Sequence, residues 1–105
     1  MAKILKVGVI GLGVGEQHLK TYQGLAGVEV KAVCDIDREK LGRVADAYDV
    51  ASRGEDFRIV TEDPDIEVVS ICSYDDCHAE QAVSAFQNGK HVMVEKPIAL
   101  YRSEA

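Results

Sequence analysis

Residues 4–18 read Ile-Leu-Lys-Val-Gly-Val-Ile-Gly-Leu-Gly-Val-Gly-Glu-Gln-His, and this stretch decides the fold. Its first seven residues predict a buried β-strand, because they form a short run rich in branched apolar side chains that stops at glycine. The glycines Gly11, Gly13 and Gly15 then allow a tight turn with no Cβ in the way. A helical pattern begins at Glu16. A strand, a glycine turn and a helix together place the unpaired N–H groups of a helix N-terminus against a phosphate.

The glycine spacing matches the dinucleotide fingerprint Gly-x-Gly-x-x-Gly only in part. That fingerprint has its third glycine where this chain has Glu16, so we interpret the turn as contracted and expect Gly15 to provide the close approach. Gly11, Gly13, Val14 and Gly15 are therefore the predicted phosphate-side contacts. The Glu16 carboxylate is favoured by the dipole at a helix N-terminus, but it would repel a pyrophosphate if it pointed at the ligand.

The composition is that of one small globular domain. The chain has 105 residues, of which 47% are hydrophobic and 29% charged, with a formal net charge of −6. This acidic balance argues against nucleic acid or an anionic membrane as a partner. No apolar run is long enough to span a bilayer and no signal peptide is visible, which predicts a cytoplasmic protein. The three cysteines indicate neither a disulfide framework nor a metal site.

Strand and helix patterns alternate along the rest of the chain. Further strands are predicted over residues 28–35, 50–52, 66–73 and 91–94, and helices over residues 38–48 (with Asp37 as N-cap), over residues 54–61, and before Gly89. In the last of these helices, Ala79, Ala82, Val83 and Phe86 are expected to face inward.

This alternation predicts an α/β fold, a three-layer, doubly wound parallel sheet with strand order 3-2-1-4-5. The switch point lies between strands 1 and 4, so a ligand is expected over residues 11–15 and Ser73. Five strands make an incomplete dinucleotide fold. We therefore expect residues 1–105 to be a single, truncated dinucleotide-binding domain without a substrate domain.

Asp35 is the second part of the predicted cofactor site. It ends strand 2, twenty-two residues after Gly13, where an NAD-binding fold has the acid that accepts from the adenosine ribose hydroxyls. Its carboxylate would repel a 2′-phosphate, which favours NAD over NADP. A capping role for Asp35 is the alternative, but Asp37 fills that role better. Arg38 could instead stack on adenine or pair with a 2′-phosphate.

Taken with the tail Gly-Lys-His-Val-Met-Val-Glu-Lys-Pro over residues 89–97, the sequence resembles a known family. It is similar over essentially its whole length to the N-terminal domain of the glucose–fructose oxidoreductase and inositol dehydrogenase family (Gfo/Idh/MocA), which has a Rossmann-type fold. The most specific part of the resemblance is the motif Glu95-Lys96-Pro97. The resemblance implies that Lys96, the predicted catalytic residue, touches the nicotinamide ribose and the substrate hydroxyl, and that Glu95 binds near the cofactor.

The segment after strand 4 departs from the family pattern. The family has Thr-Pro-Asn where this chain has Ser73-Tyr74-Asp75, although the histidine of the following helix is retained as His78. The resemblance implies that Ser73 and His78 contact the cofactor on the nicotinamide side. A packing role near the helix start is the alternative for His78.

These features predict the cofactor-binding domain of an NAD-dependent oxidoreductase that acts on a polyol or sugar-like hydroxyl and is inactive alone. A substrate would bind only with a second domain. The sequence leaves open whether the chain forms a homo-oligomer. Two alternatives remain. A methyltransferase that binds S-adenosylmethionine shares the glycine spacing, but it usually has an acid where this chain has Val9 and lacks Glu-Lys-Pro. A non-catalytic NAD-responsive binding module is the other.

Overall fold

The computed structural model of the chain describes residues 4–73 and 75–94, without the side chains of residues 75–78 and 94. Strands and helices alternate throughout. The strands are β1 (Leu5–Ile10), β2 (Val28–Cys34), β3 (Ser52–Gly54), β4 (Val68–Ile71) and β5 (His91–Val94). The helices are α1 (Gly15–Gln23), α2 (Arg38–Ala47), α3 (Arg58–Thr61) and α4 (Asp75–Gln87).

The five strands form one parallel sheet with the order β3-β2-β1-β4-β5, which confirms the predicted fold class and strand order. β1 lies at the centre, paired with β2 on one side and β4 on the other. The chain reverses its direction of winding at β1, so the carboxyl ends of β1 and β4 leave a crevice between their following turns.

Each face of the sheet carries its own apolar core, as expected for parallel strands that are covered on both sides. The first core lies against α1 and α2 and contains Val9, Leu12, Leu19, Val30, Val33, Leu41, Val44, Ala45 and Val50. The second lies against α3 and α4 and contains Ile10, Ala32, Cys34, Val60, Ile66, Val69, Ile71 and Ala85. Among the described residues, none of the helices has the length and apolar character that crossing a bilayer requires.

A charged cluster connects the α3–β4 loop to β2 and to the turn between α4 and β5. Lys31 Nζ donates to Asp63 Oδ2 at 2.6 Å and lies 3.1 Å from Asp65 Oδ2. Lys90 Nζ donates to the Asp63 carbonyl oxygen at 2.5 Å. Burial alone would raise the pKa of Asp63, but hydrogen bonds from Lys31 and from the Asp65 N–H outweigh it and hold the pKa below its usual range. The charged form of Asp63 is therefore part of the folded state.

Three details of the sequence prediction are wrong. The helix predicted over residues 54–61 is observed as α3, Arg58–Thr61, because Gly54 is instead the last residue of β3. β3 covers Ser52–Gly54 instead of residues 50–52, because its register is set by pairing of Ser52 with Ala32 and of Gly54 with Cys34. In α4, Ala79, Val83 (52%) and Phe86 (62%) are exposed, whereas Gln81 and Ala85 are buried. The face of α4 that packs against the sheet is thus rotated from the face that its apolar side chains indicated.

Candidate functional site

A cavity of about 790 Å³ opens at the carboxyl ends of β1, β2 and β4, where the crevice of a doubly wound sheet is expected. This volume is in the range of small-molecule and cofactor sites. The lining is drawn from the turns that follow these strands, with further residues from α2, α4 and the β3–α3 loop: Ile10, Gly11, Gly13, Val14, Cys34, Asp35, Ile36, Asp37, Lys40, Glu55, Phe57, Cys72, Ser73 and Gln81.

Gly11 begins the glycine turn in a conformation that only glycine adopts easily. Its φ is +89°, and a Cβ there would lie 2.6 Å from the Cys72 carbonyl carbon and 2.6 Å from the Ser73 nitrogen. The Gly11 N–H donates to the Cys34 carbonyl oxygen at 2.8 Å. The turn is therefore fixed between the ends of β2 and β4.

Gly13 and Val14 form the exposed crest of the turn. A Cβ on Gly13 would have one neighbour within 4 Å, the Lys40 Nζ at 3.6 Å, so the backbone is open to a ligand there. α1 follows immediately, and its N-cap residue Val14 makes no side-chain capping hydrogen bond. N–H groups at a helix N-terminus have no intrahelical acceptor, so this crest presents donors to an anion.

Gly15 lies beneath the crest and does not line the cavity. A Cβ at this position would be 2.9 Å from Val9 Cγ1 and 3.4 Å from Cys72 Cβ. The close approach that Gly15 permits is therefore the packing of α1 against β1. This is the packing role of the third glycine in the fingerprint, performed one residue earlier in the chain.

Asp35, on the other side of the cavity, connects the glycine turn to the turn between β2 and α2. Its Oδ2 accepts from the buried Leu12 N–H at 2.8 Å, and its Oδ1 accepts from the Asp37 N–H at 2.8 Å. Each carboxylate oxygen can accept more than one hydrogen bond, so the group can still accept from a diol. Asp37 is the N-cap of α2 and accepts from the Lys40 N–H at 3.1 Å, as predicted. The capping role is thus filled without Asp35.

The surroundings of Asp35 are apolar on one side and charged on the other. Ile36 is 75% exposed at the cavity although it is a large apolar side chain, and Phe57 lines the same space. Arg38 does not line the cavity. Its guanidinium donates to the Glu55 carboxylate, and both side chains are exposed.

A polar pair closes the β4 side of the cavity. Ser73 Oγ donates to Gln81 Oε1 at 2.5 Å, which connects the end of β4 to α4. Cys72 precedes Ser73 and is half-buried. Cys34 lies on the β2 side, where burial, reinforced by the charge of Asp35, raises the pKa of its thiol to about 12. The Cys34 thiol is therefore uncharged and unreactive near neutral pH.

Glu16 faces away from the crest, toward α2. Its Oε2 accepts from the Tyr48 hydroxyl at 3.4 Å, and its Oε1 lies 3.8 Å from an Arg43 guanidinium nitrogen. The side chain that replaces the expected glycine thus connects α1 to α2. Among the side chains that the structure describes, no group of three or more His, Cys, Asp or Glu residues could hold a metal ion.

The structure brings five predicted cofactor contacts to one cavity: Gly11, Gly13, Val14, Asp35 and Ser73. Gly15 supports them from below, and Arg38 is held by Glu55. The predicted contacts of the His78, Glu95 and Lys96 side chains lie outside the described residues.

Several lining residues had no distinctive signal in the sequence. They are Ile36, Lys40, Glu55, Phe57 and Gln81. Of these, only Ile36 could have been predicted from its position in the sequence. It directly follows the acidic residue that ends strand 2, so it lies where the chain leaves the sheet, beside the cavity.

Comparison with known families gives a match over most of the chain. The family GFO_IDH_MocA, described as an oxidoreductase family with an NAD-binding Rossmann fold, matches residues 5–105. The inositol 2-dehydrogenase of Salmonella typhimurium is 37% identical over 99 residues, which cover 91% of this chain and 30% of that enzyme. The chain thus spans about 30% of the length of this curated relative.

Solved structures of similar proteins have the same fold. The scyllo-inositol dehydrogenase of Lactobacillus casei, with bound NAD(H) and scyllo-inositol, superimposes with a TM-score of 0.84 at 32% identity, covering 91% of this chain and 29% of that one. A levoglucosan dehydrogenase in complex with NADH gives a TM-score of 0.82 at 32% identity, with coverage of 90% and 28%.

Proposed function

The chain belongs to the Gfo/Idh/MocA oxidoreductase family as its NAD-binding Rossmann domain, and we propose that it serves an NAD-dependent dehydrogenase that oxidises a hydroxyl of a polyol or sugar-like substrate. The observation that carries this proposal is the pairing, across one cavity, of an open glycine crest with the Asp35 carboxylate. The two features offer donors for a pyrophosphate and acceptors for a ribose diol, which are the adjoining parts of a dinucleotide.

The residues present fit the adenosine half of NAD in three places. Ile36 and Phe57 offer apolar surface for the adenine ring, and Asp35 offers oxygens to the ribose hydroxyls. The crest at Gly13 has room for a phosphate where a Cβ would be. NAD, when bound, supplies the hydride acceptor, and the protein supplies binding and orientation.

The choice of NAD over NADP rests on charge. Asp35 already holds two backbone N–H groups, so its carboxylate cannot swing away from a 2′-phosphate without breaking both hydrogen bonds. Two unit charges about 4 Å apart repel by about 1 kcal/mol in water and about 4 kcal/mol near a protein surface. Arg38 is held by Glu55 and is not aimed at the cavity.

The catalytic assignment stays a proposal based on family resemblance. Lys96 would contact the nicotinamide ribose and the substrate hydroxyl, Glu95 would bind near the cofactor, and His78 would contact its nicotinamide half. Hydride transfer from a hydroxyl also needs a base within hydrogen-bond reach and a site that excludes water. In a family whose curated relatives are about three times as long, we assign these tasks to a second domain.

Ligand-dependent stabilisation tests the cofactor class. We expect NAD to raise the melting temperature of the chain more than NADP, and S-adenosylmethionine to leave it unchanged. Stabilisation by S-adenosylmethionine, or none by NAD, would overturn the proposal. The same chain should form no NADH from a panel of polyols and sugars, and turnover that disappears in Lys96→Met would contradict the need for a second domain.

A further inference from the structure

A buried glutamine in the wall of the cavity has no place in the function proposed so far. Gln81 lies on α4, is 6% exposed and lines the cavity. The helix could have placed Val83 or Phe86 against the sheet, yet both are exposed, and a polar side chain occupies the buried face. Burying an amide is unfavourable unless it is hydrogen-bonded, and Ser73 provides such a hydrogen bond. The presence of a glutamine on the buried face therefore needs an explanation.

The direction of that hydrogen bond determines what Ser73 can offer a ligand. Ser73 Oγ donates its one proton to Gln81 Oε1 at 2.5 Å. A serine hydroxyl has one proton and two lone pairs, so toward the cavity the oxygen of Ser73 acts as an acceptor. Phosphate oxygens near neutral pH are acceptors as well and gain nothing from such a group. A hydroxyl that donates is the matching partner.

The position of the pair indicates which hydroxyl this is. Asp35 follows β2 and Ser73 lies beyond β4, with β1 and its glycine crest between them. Neighbouring strands are about 4.8 Å apart, so the two acceptors are separated by about 10 Å. A dinucleotide with its adenosine ribose at Asp35 and its phosphates at the crest carries its second ribose toward Ser73.

We propose that Gln81 is a positioning residue that holds the Ser73 hydroxyl as an acceptor for the ribose on the nicotinamide side of NAD. This inference rests on the proposed function, because it requires NAD to occupy the cavity. It assigns different polarity to the middle of the site and to its two ends: donors at the crest, and acceptors at the ends of β2 and β4.

Binding of ADP-ribose and of ADP separates this role from a purely structural one, because ADP lacks the second ribose. The readout is the ratio of the two dissociation constants, measured by calorimetry for the unmodified chain, Ser73→Ala, Gln81→Met and the double variant. Each single variant should weaken ADP-ribose by about three- to tenfold and leave ADP within about twofold. The double variant should lose no more than either single one.

Two further variants complete the test. Ser84→Ala removes another hydrogen bond of α4, to Thr61 at 2.7 Å and away from the cavity, so it should lower stability without changing the ratio. Gln81→Glu retains an oxygen for the Ser73 proton and should restore the ratio lost in Gln81→Met.

Several outcomes would overturn the inference: equal weakening of ADP and ADP-ribose, additive losses in the double variant, or a ratio unchanged in Gln81→Met. If ADP and NAD bind and depend on Asp35 while the ratio does not change, the proposed function stands and the role of Gln81 fails. If neither ligand binds the unmodified chain, the proposed function itself fails.

Discussion

Replacing Asp35 with asparagine should separate the two tasks that the structure gives this side chain. The carboxylate accepts from the Leu12 and Asp37 N–H groups, each at 2.8 Å. An asparagine has one acceptor oxygen and one NH₂ group, so it can satisfy only one of these donors. Leu12 is fully buried, and an unpaired N–H there would have no water to replace the lost acceptor.

The expected magnitudes follow from these contacts. A hydrogen bond to a charged group contributes about 1.5–3 kcal/mol, and Asp35 is half-buried, so the free energy of unfolding should fall by about 1.5 kcal/mol. The lost contact to the ribose diol should weaken NAD by a similar free energy, which is about tenfold. NADP should lose much less, because the same change removes the repulsion of its 2′-phosphate.

Calorimetric titration with NAD and NADP, alongside urea unfolding, measures both effects. Asp37→Asn is the matched control, because it removes the same charge two residues away while asparagine remains a good N-cap. It should change the ratio of NAD to NADP affinity by less than about twofold. Equal affinity of the unmodified chain for the two cofactors, or the same shift in both variants, would refute the reasoning.

Three other predictions concern the packing and charges of the fold around and beyond the site. In urea unfolding, Gly15→Ala should destabilise the chain by about 1–3 kcal/mol, because its Cβ would lie 2.9 Å from Val9 of β1. Gly42→Ala lies in open space on α2 and should stabilise the chain by about 0.5–1 kcal/mol. Equal effects of the two substitutions would contradict the packing argument. The pKa of Asp63 is lowered in the folded state, so its contribution to the free energy of unfolding is present above the unfolded pKa of about 3.9 and is lost as the pH falls through the folded pKa. Asp63→Asn should therefore reduce the fall of the free energy of unfolding with decreasing pH. An unchanged fall would show that Lys31 does not hold the charged form. Glu16→Gln should leave NAD affinity unchanged at low salt, since the carboxylate faces α2; tighter binding would mean that it faces the phosphates instead.

The sequence was sufficient for those features that depend on strong local patterns. Apolar runs bounded by glycine and aspartate predicted five strands and their order, and the predicted bounds of β5, residues 91–94, are those observed. The N-cap at Asp37 was predictable because its carboxylate binds the N–H of a residue three positions ahead. Interactions between residues a few positions apart can be predicted from the local sequence alone.

The wall of the cavity was not predictable in the same way, because its contacts join residues far apart in the chain. The pairing of Arg38 with Glu55 depends on where the β2–α2 and β3–α3 turns meet, and no local pattern encodes it. In α4, small alanines occur on more than one face, so periodicity leaves the rotation of the helix undetermined. Its buried face is instead marked by Gln81, whose partner Ser73 lies at the end of a strand.

The acidic and basic side chains of the described cavity lining lie on the side where we propose that the adenosine half of NAD binds. The acidic and basic side chains of the described cavity lining are Asp35, Asp37, Glu55 and Lys40, and all of them lie on the β2 side or on the elements beside it. All three carboxylates are already engaged: Asp35 and Asp37 accept from backbone N–H groups, and Glu55 accepts from Arg38. On the β4 side the described lining is a serine, a glutamine and a half-buried cysteine. A dinucleotide bound here would have its adenosine half in this charged environment, and the described residues at its nicotinamide end would include Ser73 and Gln81. In the proposed assignment, the groups that would contact the reactive end are Glu95 and Lys96, which lie outside the described residues.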